Sequence, residues 1–164
     1  MQRRELFSSL ASSIKGHIPK QKQERLLRPP YNNDESLFLN ECSKCDGKCA
    51  TVCEEEIIKI ADDKTPYLDF SKSGCTYCDD CVSACEFGVL KLEDKRYIDA
   101  KVIINNKNCL SWNATMCFSC KDPCLENAID FKAMFMPTID SSKCTSCGFC
   151  ISRCPTYAVD IKTI

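Results

Sequence analysis

The 164-residue chain lacks features that define several common classes of protein. No run of apolar residues approaches the roughly 18 that a membrane-spanning helix needs. No basic stripe accompanies the aromatic residues, so nucleic-acid binding is not indicated. No glycine-rich phosphate loop, nucleophile–base pair or pair of catalytic carboxylates stands out, so the sequence does not predict an enzyme. The single histidine, His17, lies in a polar segment, where we expect a surface position rather than a ligand.

The N-terminal residues also lack the apolar stretch of a secretory signal. An arginine pair, Arg3-Arg4, stands near the start, but serine, lysine and glycine residues interrupt any hydrophobic region behind it. We therefore expect a cytoplasmic protein. Leu6, Leu10 and Ile14 have the spacing of an apolar stripe on a short helix. Such a helix would either pack on its own chain or dock a partner.

Cysteine is present in excess, at 16 residues. This density is typical of a disulfide scaffold or a metal protein. Disulfides are unexpected in a reducing cytoplasm, which favours metal. The remaining apolar residues make a thin core for this length, so bound metal is also expected to stabilise the fold.

The cysteines form four groups of four, and none is left over. The groups are Cys42, Cys45, Cys49 and Cys53; Cys75, Cys78, Cys81 and Cys85; Cys109, Cys117, Cys120 and Cys124; and Cys144, Cys147, Cys150 and Cys154. Similar segments follow each group: "CEEEIIKI", "CEFGVLKL", "CLENAIDF" and "CPTYAVDI". This repeat predicts a short helical turn carrying each last cysteine, followed by a short strand. The predicted inward residues are Ile58, Ile60, Leu90, Leu92, Ile129, Phe131, Val159 and Ile161. Further strands are expected within 67–70, 97–104 and 136–139.

The spacing within the groups indicates iron–sulfur clusters. The second and fourth groups match C-x₂-C-x₂-C-x₃-C, the motif of two-cluster bacterial ferredoxins, and Pro155 completes it in the fourth. In that motif three cysteines hold one cluster and the fourth ligates the other. Zinc is the alternative, but structural zinc sites usually take cysteines in pairs separated by a longer loop.

Two groups depart from this spacing. The first has one extra residue, and Gly47 could accommodate the kink through a positive φ. The third has the loop "LSWNATM" between Cys109 and Cys117, so a cluster there requires Cys109 to fold back. The alternative is a labile three-cysteine site, or no site. Trp112 in this loop would either shield a cluster or pack the loop onto the body.

Because the fourth cysteine of such a motif ligates the other cluster, we expect two adjacent groups to share each lobe. All sixteen cysteines would then ligate four [4Fe–4S] clusters. The expected sets are Cys42, Cys45, Cys49 and Cys85; Cys75, Cys78, Cys81 and Cys53; Cys109, Cys117, Cys120 and Cys154; and Cys144, Cys147, Cys150 and Cys124. The alternative is nesting, in which the first group pairs with the fourth and the second with the third. The spacings between groups are similar, and no long insertion favours nesting.

These patterns predict an α+β fold of tandem bacterial-type two-[4Fe–4S] ferredoxin lobes, with short strands and short helices organised around the clusters. The expected divisions are a basic, amphipathic arm at 1–37, a first lobe at 38–96 and a second lobe at 97–164.

Four longer segments make the chain resemble one family in particular. They are "RPPYNNDESLFLNECSKC" (28–45), "CEFGVL" (85–90), "NCLSWNATMCFSCKDPC" (108–124) and "CTSCGFCISRCP" (144–155). They resemble the NapF family, the ferredoxin-type accessory proteins of the periplasmic nitrate reductase system. The resemblance covers most of the chain, although the extra residue in the first group departs from the usual spacing.

This resemblance implies a soluble cytoplasmic iron–sulfur protein that is not itself an enzyme. Its partner would be the molybdenum-containing catalytic subunit, NapA. The accessory would assist maturation of that subunit before export, by supplying electrons or by helping with its iron–sulfur centre. The alternative is a permanent electron-transfer subunit of a cytoplasmic oxidoreductase complex.

Overall fold

The computed structural model describes residues 25–32 and 34–164. The predicted helical stripe of the arm and His17 lie outside these residues. The α-helices described are α1 (Glu35–Glu41), α2 (Lys48–Thr51), α3 (Asp80–Ser83) and α4 (Phe149–Ser152). The strands described are β1 (Ile58–Ile60), β2 (Pro66–Leu68), β3 (Ala100–Ile104), β4 (Ile129–Lys132), β5 (Phe135–Ile139) and β6 (Val159–Thr163). Short 3₁₀ helices span Cys42–Lys44, Leu92–Asp94 and Ser111–Asn113. Within this part of the chain, no helix combines the length and apolarity needed to cross a membrane.

The strands pair in three two-stranded antiparallel sheets. β1 and β2 form a hairpin in the first half of the chain, and β4 and β5 form another in the second half. β3 pairs with β6, so that Val102 lies opposite Ile161. This pairing closes the second half on itself. The strands expected within 67–70, 97–104 and 136–139 are therefore confirmed, with somewhat different ends.

The apolar core consists of three small clusters, and cysteines pack against each of them. The first contains Ile57, Ile58, Leu68, Phe70, Ile98 and Ala100. The second contains Val102, Ile129 and Val159 together with Cys120 and Cys150. The third contains Tyr31, Phe38, Val89 and Leu90. The thin core expected from composition is confirmed, and whatever the cysteines bind is structurally part of it.

Three local expectations were wrong. The four-residue helices carry the third cysteine of a group, such as Cys81 in α3, and the last cysteine follows the helix end. Leu92 was expected to face inward on a strand, but it begins a 3₁₀ helix and is 54% exposed. Lys91 N donates to Tyr31 O, and the chain then turns, with Asp94 N bonded to Lys91 O. Ile60, also expected to face inward, is 40% exposed at the end of β1.

Arg28 binds the segment before α1 to the start of β2. Its guanidinium donates to Thr65 Oγ1 at 2.7 Å and to Pro66 O at 2.8 Å. It also pairs with the Glu35 carboxylate and lies 5.0 Å from the centre of the Phe38 ring. Only 10% of the Arg28 side chain is exposed. A planar, five-donor guanidinium can satisfy all these partners at once, which an ammonium cannot.

We predict that Arg28→Lys lowers the free energy of unfolding by roughly 1–2 kcal/mol, because charge-assisted hydrogen bonds to half-buried acceptors are lost. Anaerobic urea unfolding followed by circular dichroism measures the change. Arg25→Lys is the matched control, since the Arg25 side chain is 54% exposed and makes one 3.8 Å ion pair to Asp99. Equal effects of the two substitutions would contradict this role for Arg28.

Candidate metal centres

The first group of thiols gathers around the start of α2. Gly47 begins this helix with φ +73°, so the kink predicted for the extra residue is confirmed. Its N–H points back to Cys45 Sγ at 3.4 Å. Burial, and then the thiols of Cys85 and Cys45, raise the pKa of Cys42 to about 11. Cys85, the last cysteine of the second group, therefore lies with the first three cysteines of the first group.

The second group has the reciprocal arrangement. Burial, and then neighbouring thiols beginning with Cys75, raise the pKa of Cys81 to about 12. Cys53 is among these neighbours and also helps to raise the pKa of Cys75. The last cysteine of the first group therefore lies beside the thiols of the second group. Cys49 of the first group also helps to raise the pKa of Cys81, so the thiols of the two groups in this half lie close together.

The loop of the third group does fold back. The buried Ser111 hydroxyl donates to Cys117 O at 2.7 Å and accepts from Cys117 N at 3.2 Å, tying the two ends of the loop together. Asn113 Nδ2 donates to Cys109 O at 2.7 Å. Burial, with smaller contributions that include Cys109 and Cys154, raises the pKa of Cys120 to about 12.

Sequence reasoning did not single out Ser111 or Asn113. The available signal was two short polar side chains in a loop between cysteines, a residue type that often bonds nearby backbone. Trp112, between them, donates from Nε1 to Pro137 O at 3.1 Å. This contact attaches the loop to β5 and supports the packing role that was one of its two expected roles.

The fourth group lies at the start of α4. Burial, with smaller contributions from Cys147 and Cys124, raises the pKa of Cys144. Burial also strongly raises the pKa of Cys150, which is 8% exposed and has the same two thiols among its neighbours. Cys124, the last cysteine of the third group, therefore joins the fourth group. The neighbouring thiols thus include those expected from adjacent pairing of the groups.

Backbone amides are directed at several sulfurs from the residues that follow the last cysteine of a group. Leu90 N donates to Cys85 Sγ at 3.4 Å, Ala128 N to Cys124 Sγ at 3.3 Å and Ala158 N to Cys154 Sγ at 3.2 Å. Burial alone would raise the pKa of Cys154. Backbone amide donors that include Thr156 and Ala158 nevertheless hold this pKa below its usual value. Hydrogen bonds of this kind stabilise thiolate and tune the potential of a bound cluster.

The donor set fits an iron–sulfur core. All sixteen cysteines are in the described part of the chain, and no disulfide joins any of them there. Four thiols per site repel one another as thiolates, so full ionisation requires positive charge at the centre, which a [4Fe–4S]²⁺ core supplies. No three His, Cys, Asp or Glu side chains in the described residues are arranged to hold one metal ion. The fit therefore rests on thiol number, sulfur chemistry and the N–H···S contacts.

Comparison with protein families agrees with this chemistry. A 4Fe-4S dicluster domain matches residues 41–89, which contain the first two groups, and a 4Fe-4S binding domain matches residues 137–160. These matches place the chain among iron–sulfur proteins of the ferredoxin type, whose function is electron transfer.

Similar proteins define the family further. Ferredoxin-type protein NapF of Escherichia coli K12 is 31% identical over 137 residues, which are 81% of this chain and 82% of the relative. Ferredoxin-type protein NapG of the same strain is 30% identical over 162 residues, covering 84% and 70%. The methylamine utilization ferredoxin-type protein MauM of Methylobacillus flagellatus is 33% identical over 160 residues, covering 85% and 68%. The chain belongs to the NapF family of ferredoxin-type proteins.

We predict that Ser111→Ala weakens the third site selectively, because both ends of its loop lose a buried hydrogen-bond partner. Iron content after a limited exposure to air should fall by about four atoms per chain relative to the unchanged protein, one [4Fe–4S] cluster. Ser142→Ala is the control, since its exposed hydroxyl bonds only Asp140 among the contacts described. Equal iron retention in both variants would show that the Ser111 bridge is not needed.

Proposed function

We propose that the four thiol sets each hold one [4Fe–4S] cluster, with all sixteen cysteines as ligands. The two lobes are residues 38–96 and 97–164, preceded by the arm at 1–37. The observation that supports this proposal is that the last cysteine of each group lies near thiols of the adjacent group, in both halves of the chain. The dicluster match over residues 41–89 supports it for the first half. Bound clusters supply reversible one-electron transfer, and the chain supplies ligands, burial and amide donors.

Cluster binding changes the charge that a partner meets. Sixteen thiolates and four doubly charged cores move the formal net charge from −1 to about −9. A basic partner surface would therefore be attracted to the lobes, whereas the arm carries the opposite sign at Arg3 and Arg4. The chain thus offers two electrostatically distinct regions for recognition.

The physiological role we propose is that of an accessory in the cytoplasm. It acts in the maturation of the catalytic subunit of the periplasmic nitrate reductase before export, by electron transfer. Membership of the NapF family supports this role, as does the charge contrast between the arm and the lobes. Maturation requires recognition of the client, and the arm contributes none of the sixteen ligands.

One comparison favours a second candidate function. MauM, a ferredoxin-type protein whose name refers to methylamine utilization, aligns over 85% of the chain. Relatives of similar extent therefore occur outside the nitrate reductase system. A permanent electron-transfer subunit of an oxidoreductase complex would form a tight, stoichiometric complex with its enzyme. A maturation accessory would instead bind its client transiently.

The arm distinguishes a dedicated accessory from a general electron carrier. We predict that changing Leu6, Leu10 and Ile14 to serine lowers recovery of the nitrate reductase catalytic subunit in a pull-down, because the apolar face of the predicted helix is lost. Changing Ser8 and Ser12 to alanine is the control, since helical spacing puts them on the opposite face. All three proteins must carry equal iron. Equal recovery would exclude the arm as the docking element and transfer that role to the lobes.

A further inference from the structure

The two lobes meet through a direct hydrogen bond between cysteines of different thiol sets. Cys75 N donates to Cys147 O at 2.6 Å. Cys75 belongs to the set completed by Cys53, and Cys147 belongs to the set completed by Cys124. A continuous path therefore runs from one sulfur through its own side chain and amide, across one hydrogen bond, to the carbonyl and side chain of the other cysteine.

Two buried glycines make this approach possible. A Cβ on Gly74 would lie 2.5 Å from Phe149 N and 2.7 Å from Cys147 O, which are backbone atoms of the other lobe. A Cβ on Gly148 would lie 2.2 Å from Cδ1 of Phe70. Cβ atoms do not occupy such positions without displacement of their neighbours, so the contact depends on the absence of a side chain on each of its two sides.

Tyr77 stabilises the same contact, which we call the lobe junction: residues 74–77 against 145–149. Its hydroxyl donates to Thr145 O at 2.6 Å and accepts from Ile98 N at 3.3 Å. Thr145 and Ser146 are only 6% and 5% exposed. One side of the junction is therefore buried, and the contact is fixed by hydrogen bonds from both sides, which limits rearrangement when charge moves.

We propose that the lobe junction is the route by which electrons pass between the two lobes, and that Gly74, Gly148 and Tyr77 are its positioning residues. The inference rests on the proposed loading of all four sets. In one transfer, the centre held by the second set is oxidised by one electron and the centre held by the fourth set is reduced by one. No bond is made or broken and no proton moves. The first electron comes from an external low-potential one-electron donor. The centres of the first and third sets then lie at the outer ends of the path.

The test uses the full-length, iron-loaded protein and a pulse of a radical one-electron donor that places at most one electron on each molecule. Redistribution between lobes is then followed by electron paramagnetic resonance of freeze-quenched samples, as a phase whose rate is independent of protein concentration. Gly74→Ala should lose this phase, because its Cβ forces apart the backbones that carry the hydrogen bond. Gly88→Ala is the control for backbone strain alone: a side chain at its φ of +62° is strained, but a Cβ there meets nothing within 4 Å. It should redistribute like the unchanged protein.

The outcomes separate this inference from the four-cluster proposal. The proposed role of the junction would be overturned if fully loaded Gly74→Ala redistributed electrons as fast as the unchanged protein. It would also be overturned if the fully loaded unchanged protein showed no redistribution phase. Fewer than four clusters in the unchanged protein would contradict the proposed loading instead. If Gly74→Ala itself loses iron, Tyr77→Phe decides the question, because it removes the bond to Thr145 without adding volume. A slower phase in that variant supports the junction, and an unchanged phase overturns it.

Discussion

Mutual repulsion among clustered thiolates is the constraint on which the rest of this structure depends. The thiols lie close to one another in partly buried surroundings, where burial and then neighbouring thiols raise the pKa values of Cys49 and Cys81 to about 11 and 12. Such a cluster of anions is stable only around a compensating positive core. The apolar clusters are too small to impose the arrangement alone, since each contains only a few buried residues. Bound iron and sulfide therefore act as structural components as well as redox centres.

The turns around the sulfurs show how one geometry is met by different residues. The residue before the short helix is left-handed in three groups: Gly47 at φ +73°, Asp79 at φ +70° and Gly148 at φ +88°. Aspartate tolerates this region better than most residues. Here its carboxylate also accepts from the Tyr31 hydroxyl at 2.6 Å and from Lys95. Those donors hold the pKa of Asp79 below its usual value, Lys95 contributing most, and help to keep the turn in place.

Features set by local spacing could be predicted from the sequence. The four groups, the positive φ of Gly47 and the strands that became β4 and β5 all follow from short repeats. The ends of the helices could not, because a four-residue helix differs from a turn by a single hydrogen bond. Leu92 was misplaced for a related reason, since its repeat position favours a strand but no neighbouring strand continues beside it.

Contacts between distant segments, and side-chain contacts within a single loop, also could not be predicted from the sequence. The Ser111 bridge is a side-chain contact within a loop that has no counterpart in the other groups. The bond from Cys75 N to Cys147 O joins residues that are 72 positions apart in the sequence. Nothing in the spacing of the motifs indicates that Gly74 and Gly148 pack against the opposite lobe. Such contacts depend on how folded segments meet, and a single sequence carries no periodic signal for that.

Quantification of iron, acid-labile sulfide and zinc against protein, after anaerobic purification, tests the central claim most directly. Four complete sets of thiols predict about sixteen iron and sixteen sulfide per chain, as expected for four [4Fe–4S] clusters. About twelve iron and twelve sulfide per chain would mean that one set does not hold a cluster, and the third set would be the first to examine. About four zinc ions per chain with negligible sulfide would contradict the account, because the thiols would then hold single metal ions.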